Sequence, residues 1–233
     1  MCGRFNLRTS AKEVSDFFGT PTFPEFESLI NIAPTDQALI VTVDALNRNP
    51  AETDDAASGR NISWVRWGLV PSWLKELKGW APRINARSET VATNGVFRSA
   101  FSSRRCLLPV TGFYEWQEVE PKKKQPFHIE PATQPFLALA GIWDHWAVGD
   151  QFVFSCSILT CVPNKTMDAV HDRMPVVLNQ KDWDRWLDRD SKGAELVDLL
   201  VPCPEDWLKV SPIASTINNA RNKSADALQP LAF

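Results

Sequence analysis

Hydrophobic positions along this chain keep two different periods, and the switches between them mark out its elements. Ser10-Ala-Lys-Glu13 has the form of a capping box; Val14, Phe17 and Phe18 then supply an apolar helical face, and Gly19 stops it. This predicts a short scaffold helix. Prolines at 21, 24 and 34 break the next stretch, and Asn31-Ile-Ala-Pro-Thr35 leads through a turn into an apolar strand over 38–43. Residues 44–61, rich in Asn, Asp, Ala and Ser, read as a surface loop between strands. A strand is predicted over 62–70, and Pro71-Ser-Trp73 breaks it, placing an aromatic on a loop. After a helix-like stretch ending near 101, strands are expected over 106–110, 112–119, 127–130, 136–143 and 152–160. The second of these alternates so that Phe113, Glu115 and Gln117 share a face, and Lys122 to Lys124 sit at a hairpin turn. A helix over 163–170 delivers the loop His171-Asp-Arg-Met-Pro175, and amphipathic helices are expected over 180–188 and 193–201. Many strands with scattered helices, no βαβ rhythm and no internal repeat indicate an α+β fold with a curved, barrel-like mixed β-sheet flanked by helices.

Composition narrows the function classes. At 233 residues, with 44% hydrophobic and 23% charged, the chain can bury a substantial core as one domain or two small ones. Its opening residues lack a basic segment followed by an apolar run, and no stretch approaches the length that spans a bilayer, so an intracellular protein without membrane association is expected. Five cysteines without a paired C-x-x-C pattern, and three histidines far apart, argue against a zinc site or a disulfide framework. No metal or other cofactor is expected. The net charge of −3 argues against coating of duplex DNA, but residues 60–124 hold twelve Lys or Arg against five Glu. That basic segment is interleaved with Trp64, Trp67, Trp73, Trp80 and Trp116, a pattern suited to phosphate contacts beside stacking surfaces for unpaired bases. A solvated basic face beside a tryptophan-rich core would carry the same pattern.

The opening Met1-Cys2-Gly3-Arg4-Phe5 carries the group whose position is most unusual. A small second residue permits removal of Met1, which would leave Cys2 with both a free α-amine and a thiol. Such a 1,2-aminothiol condenses with an aldehyde: the amine forms an imine and the thiolate closes a five-membered thiazolidine ring on the same carbon. An ordinary α-amine titrates near ~8 and a thiol near ~8.5, so modest tuning brings both into play near neutrality. By position alone Cys2 reads first as a small, fairly apolar second residue, since buried inert cysteines are common, and only the rest of the chain overturns that.

Six short motifs in order give that choice a context: Met-Cys-Gly-Arg-Phe, Asn31-x-Ala-Pro-Thr35, Trp67-Gly-Leu-x-Pro71, Ile84-Asn-Ala-Arg-Ser-Glu89, Gly112-Phe-Tyr-Glu-Trp116 and His171-Asp-Arg-Met-Pro175. Together they resemble the SOS response-associated peptidase (SRAP) family, from residue 2 to the Val210-Ser-Pro segment and beyond. The resemblance implies a single domain over 1–233 and a sensor of abasic sites in single-stranded DNA. Such a sensor attaches covalently through Cys2 and shields the lesion during the DNA damage response. It implies Asn85 as the group orienting the amine, Glu115 as general acid/base and His171 for proton transfer at the sugar. A carboxylate and an imidazole are chemically apt for moving those protons, and a neutral amide orients an amine without quenching it. In the same context Arg4, Arg83, Arg87 and Arg173 become phosphate ligands and Trp73 a wedge or stacking surface. Leu74 stands where some bacterial relatives have a second tryptophan, and the 44–61 loop is longer than in compact relatives. The expected partner is abasic single-stranded DNA and the expected state a monomer. The location would be cytoplasmic and nucleoid-associated in a bacterium, or nuclear in a eukaryote. Two alternatives stand beside this: a cysteine peptidase that removes its own Met1, and a non-covalent reader that flips a modified base between aromatics. Lyase activity on the DNA would accompany the imine route.

Overall fold

A computed structural model describes residues 2–44, 46 and 59–231, so most of the predicted 44–61 loop lies outside the described residues. Twelve strands are described: β1 (Arg4–Leu7), β2 (Leu29–Ile32), β3 (Gln37–Thr42), β4 (Asn61–Trp67), β5 (Asn85–Arg87), β6 (Arg105–Val110), β7 (Gly112–Glu120), β8 (Lys123–Pro131), β9 (Leu137–Val148), β10 (Gln151–Cys161), β11 (Met174–Pro175) and β12 (Leu208–Pro212). The α-helices are α1 (Ala11–Phe18), α2 (Arg98–Ser103), α3 (Lys165–Asp168) and α4 (Trp183–Leu187). The α+β expectation holds, with strands divided between two sheets.

The first sheet runs β12-β8-β7-β1-β2. The second runs β11-β10-β4-β3-β6-β9, with β9 also paired to β10, so that it curls back on itself. It is mixed: β10 lies parallel to β4 and β5 and antiparallel to β9 and β11. One continuous core joins the sheets, drawing Phe5, Leu7 and Phe113 from the first and Ile40, Trp67, Leu107 and Leu139 from the second.

Local chemistry explains where the elements stop. Ser10 caps α1: its side chain accepts from the Glu13 amide while the Glu13 carboxylate accepts from the Ser10 amide, and Gly19 closes the helix in the left-handed region at φ 63°. The expected 62–70 strand ends at Trp67 because Gly68 turns at φ 129°, and a Cβ there would stand 2.7 Å from the Pro82 Cβ. The stretch predicted as one helix over 180–188 splits into a 3-10 turn at Gln180–Asp182 followed by α4, and 193–201 resolves as a 3-10 segment, Gly193–Leu199. The helix expected to end near 101 is confined to α2, after a run of turns.

Pairing of β1 with β7 decides the geometry of the site. Arg4 lies opposite Tyr114 and Phe5 opposite Phe113. The register is locked from within by a buried polar network: Asn6 Nδ2 donates to Tyr114 Oη at 2.7 Å and meets His128 Nε2 at 2.8 Å, Thr111 Oγ1 donates to Asn6 Oδ1, and Tyr114 donates to the Ile30 carbonyl. Every one of these groups is partnered, which is the condition under which a polar core specifies one register. Gly112 is required here, since a Cβ would approach His128 Nε2 to 2.3 Å.

Candidate active site

Four of the predicted residues arrive from four different elements. Cys2 precedes β1 and is fully buried. Asn85 opens β5, held where Ile158 and Trp67 Nε1 both donate to the Ile84 carbonyl, each at 2.9 Å. Its Nδ2 donates to the Cys2 carbonyl at 2.8 Å, while its Oδ1 is buried without a hydrogen-bond partner among the described residues. Glu115 projects from β7 as the predicted alternation required, and it is buried. His171 follows α3, whose cap Asn164 accepts from the Met167 amide, and the Met167 carbonyl in turn accepts from the His171 amide at 2.9 Å.

The side chains of His171 and Glu115 face each other, Nε2 to Oε2, at 3.9 Å. On the other side of the ring, Nδ1 lies 3.0 Å from the Arg173 amide and 2.8 Å from Asp172 Oδ1. One nitrogen cannot accept from the amide and donate to the carboxylate together. With Nδ1 accepting from the amide, a neutral imidazole carries its proton on Nε2, toward Glu115; with a proton on Nδ1, the ring donates to Asp172 instead. Burial lowers the His171 pKa, with Asp172 opposing and Lys124 adding to the effect. Burial does the reverse to Glu115, raising its pKa to about 7, helped by the charge of Asp172. Burial also pushes the Cys2 thiol well up, and the Glu115 charge adds to it. This corrects the expectation of a thiol tuned toward neutrality: a fully buried thiol beside a carboxylate stays protonated.

A cavity of about 680 Å³ opens over Glu115 and His171, lined also by Gly3, Arg4, Trp116, Lys122, Lys124 and Asn218; Cys2 and Asn85 are not in its lining. Arg4 borders it, yet its guanidinium already donates to Asn31 Oδ1 at 2.9 Å and to the Ile217 and Asn218 carbonyls at 3.1 and 3.3 Å. Arg173 lies close by, and its guanidinium is forked onto Glu89, with a further bond to the Thr160 carbonyl. Trp73, Arg83 and Arg87 stand apart from the cavity. Trp73 is 56% exposed and meets Trp80 edge-on at 6.1 Å, while Arg83 lies over the other tryptophan at 5.1 Å. Trp80 is fixed from below by its Nε1 bond to the Leu69 carbonyl. Arg87 is exposed at the end of β5, two residues beyond Asn85. Trp116, Asn218, Lys122 and Lys124 were not singled out as site residues. Asn218 comes from a distant C-terminal turn and accepts from Trp116 Nε1 at 2.7 Å, a contact no local pattern signals.

The model of the SOS response associated peptidase (SRAP) family matches residues 1–220. The chain is 32% identical over 233 residues to the abasic site processing protein YoaM of Bacillus subtilis, covering 98% of this chain and 97% of that one. It is 30% identical over 201 residues to the abasic site processing protein HMCES of Xenopus tropicalis, covering 76% of this chain and 59% of that longer protein. Among solved structures, a Bacteroides thetaiotaomicron protein superposes with a TM-score of 0.81 at 23% identity, covering 99% of this chain and all of that one. Matched by the family model over residues 1–220, the chain belongs to the SOS response associated peptidase family.

Proposed function

We propose that this protein processes abasic sites in single-stranded DNA by forming a thiazolidine adduct through Cys2 once Met1 has been removed. The ring-opened abasic sugar offers an aldehyde at C1′. The Cys2 amine adds to that carbon, and loss of water leaves an imine. The thiol then adds across the C=N bond, sulfur to carbon and proton to nitrogen, which closes the ring. One water leaves, and no oxidant or metal takes part. Glu115, with a pKa of about 7, gives the proton that carries the hydroxyl away and takes one from the thiol. His171, 3.9 Å from it, serves ring opening of the sugar. Asn85 has its buried Oδ1 available to accept from the freed amine. If the imine instead loses its β-phosphate, the strand is cleaved, the lyase outcome.

The observation that carries this reading is that Asn85 holds the Cys2 carbonyl while Glu115 faces His171, and that Glu115 and His171 line, with Gly3 next to Cys2, a cavity bordered by cationic side chains. The names of the two relatives above, abasic site processing proteins, support the abasic site as the substrate. Trp73 with Trp80 and Arg83 forms the surface for flanking bases and backbone, with Arg87 extending it. Arg4 and Arg173, already bonded within the protein, contribute charge rather than free forks.

The family description names a peptidase, and we take removal of Met1 by the Cys2 thiol as the second reading of the same set. Denaturing electrophoresis after incubation with an abasic single-stranded oligonucleotide tests the primary reading. A retarded band is expected. Binding that disappears on denaturation would leave the non-covalent reader, and intact Met1 in the purified protein would remove the aminothiol altogether.

A further inference from the structure

Of the cationic groups that border the cavity, two are uncommitted. Arg4 spends its donors on Asn31 and two carbonyls. Lys122 and Lys124 make no hydrogen bond or ion pair with any described residue, although Lys123 between them pairs with Glu120. Their placement comes from the hairpin. Pro121 fixes the first turn position and Lys122 takes the second at φ 68°, a left-handed conformation that a lysine adopts at a cost a glycine would avoid. Lys124 falls opposite Glu118 in the β7–β8 register. Gln117 Nε2 donates to the Ala169 carbonyl at 2.6 Å, which ties the hairpin to the segment that delivers His171. Lysines on an exposed turn are thereby held over the reacting groups.

An aldehyde alone calls for no cation. Two unpaired ammonium groups over a carboxyl that is half neutral near pH 7 suit a ligand carrying its own negative charge next to the aldehyde. We infer that Lys122 and Lys124 bind the phosphates on either side of the abasic sugar, so that the site selects a phosphate-flanked sugar aldehyde over a free one. This rests on the proposed chemistry at Cys2, but the assignment is separable from it because phosphate binding needs no covalent step.

The test uses a single-stranded oligonucleotide whose abasic site has been reduced to the alcohol and cannot react, with fluorescence anisotropy as readout. One version keeps natural phosphodiesters; in the other the two linkages flanking the abasic sugar are neutral methylphosphonates. The parent protein is expected to bind the neutral version about tenfold more weakly. The double variant Lys122→Gln, Lys124→Gln is expected to bind the natural version about tenfold more weakly than the parent, with no further loss on the neutral one. Both lysines are exposed, so the variant should unfold at the parent temperature. Parent-like affinity in the variant overturns the assignment, as does undiminished sensitivity to the neutral linkages or absence of binding by the parent. A parent that discriminates between the linkages but forms no adduct on the unreduced oligonucleotide sinks the Cys2 chemistry and leaves the lysines in place.

Discussion

Glu115 is the residue on which the electrostatics turn. Its folded pKa of about 7 stands above the ordinary 4.5 because burial disfavours the charged form. Between those values the native state binds more protons than the unfolded chain, so stability falls as pH rises through the window and the loss is complete above it. Glu115→Gln removes that titration. Relative to the parent, the variant should gain stability from pH 5 to pH 8, by on the order of 3 kcal/mol at full extent, read by denaturant unfolding at several pH values. Parallel curves would contradict the assigned environment. The same substitution should also abolish any inflection near pH 7 in the rate of adduct formation. His128 works in the opposite direction: burial lowers its pKa from 6.5 to about 3, so below pH 6.5 the unfolded state binds the extra proton and stability falls toward pH 3. His128→Gln should flatten that acid limb, and an unchanged limb in acid titration would place its cause elsewhere.

Residues were legible in the sequence to the extent that their role is local. Glu115 was marked by strand alternation and Cys2 by its place behind Met1, whereas Asn85 and His171 emerged only when the motifs were taken together. Lys122 and Lys124 were visible as a charge run at a turn, which is the signature of any solvated hairpin; only the fold brings them over Glu115. Arg173 reads as a free cation in sequence, and its fork onto Glu89 is a long-range pairing that nothing local announces.

Elements with strong punctuation were read well. Helix α1 lies where its capping box and Gly19 put it, and loss of the cap is expected to cost about 1 kcal/mol in Ser10→Ala; a thermal midpoint equal to the parent's would show that the cap does not hold α1. The short strands β1, β2, β5, β11 and β12 escaped because two to five residues give too few alternations to register a period, and pairing across the sheet defines them instead. That dependence is testable at Gly112, where β7 begins. In Gly112→Ala the new methyl would meet His128 Nε2 and the Ile129 carbonyl, straining the network that sets β1 against β7. A loss of about 2 kcal/mol or more is expected, with adduct formation falling alongside it. Parent-like stability would show that the network yields freely.

At the scale of the molecule, part of the positive charge between residues 60 and 124 gathers at the cavity rim, as Lys122 and Lys124, and in the loop from Trp73 to Arg83, as Lys75, Lys78 and Arg83, while Arg60, Arg104 and Lys123 are paired with carboxylates. A protein of net charge −3 can then hold DNA through a local surface. Arg83→Ala should weaken binding of single-stranded DNA and reduce the slope of log affinity against log salt by ~1. An unchanged slope would remove that loop from the DNA path. Sheet topology was the part least open to sequence reading. The mixed class followed from the absence of βαβ rhythm, but the partition into two sheets depends on pairings such as β1 with β7, far apart in the chain.

The central claim is that the amine and the thiol of Cys2 act together, and peptide mapping by mass spectrometry after reaction with abasic single-stranded DNA tests it most directly. The remnant of the sugar is predicted on Cys2 at a processed N-terminus, with Met1 absent and the adduct durable without a reducing agent. Cys2→Ala, and a version with an uncleavable residue ahead of Cys2, should still bind the DNA but give no such adduct. A durable adduct in Cys2→Ala, or a remnant mapped to a lysine, would contradict the account.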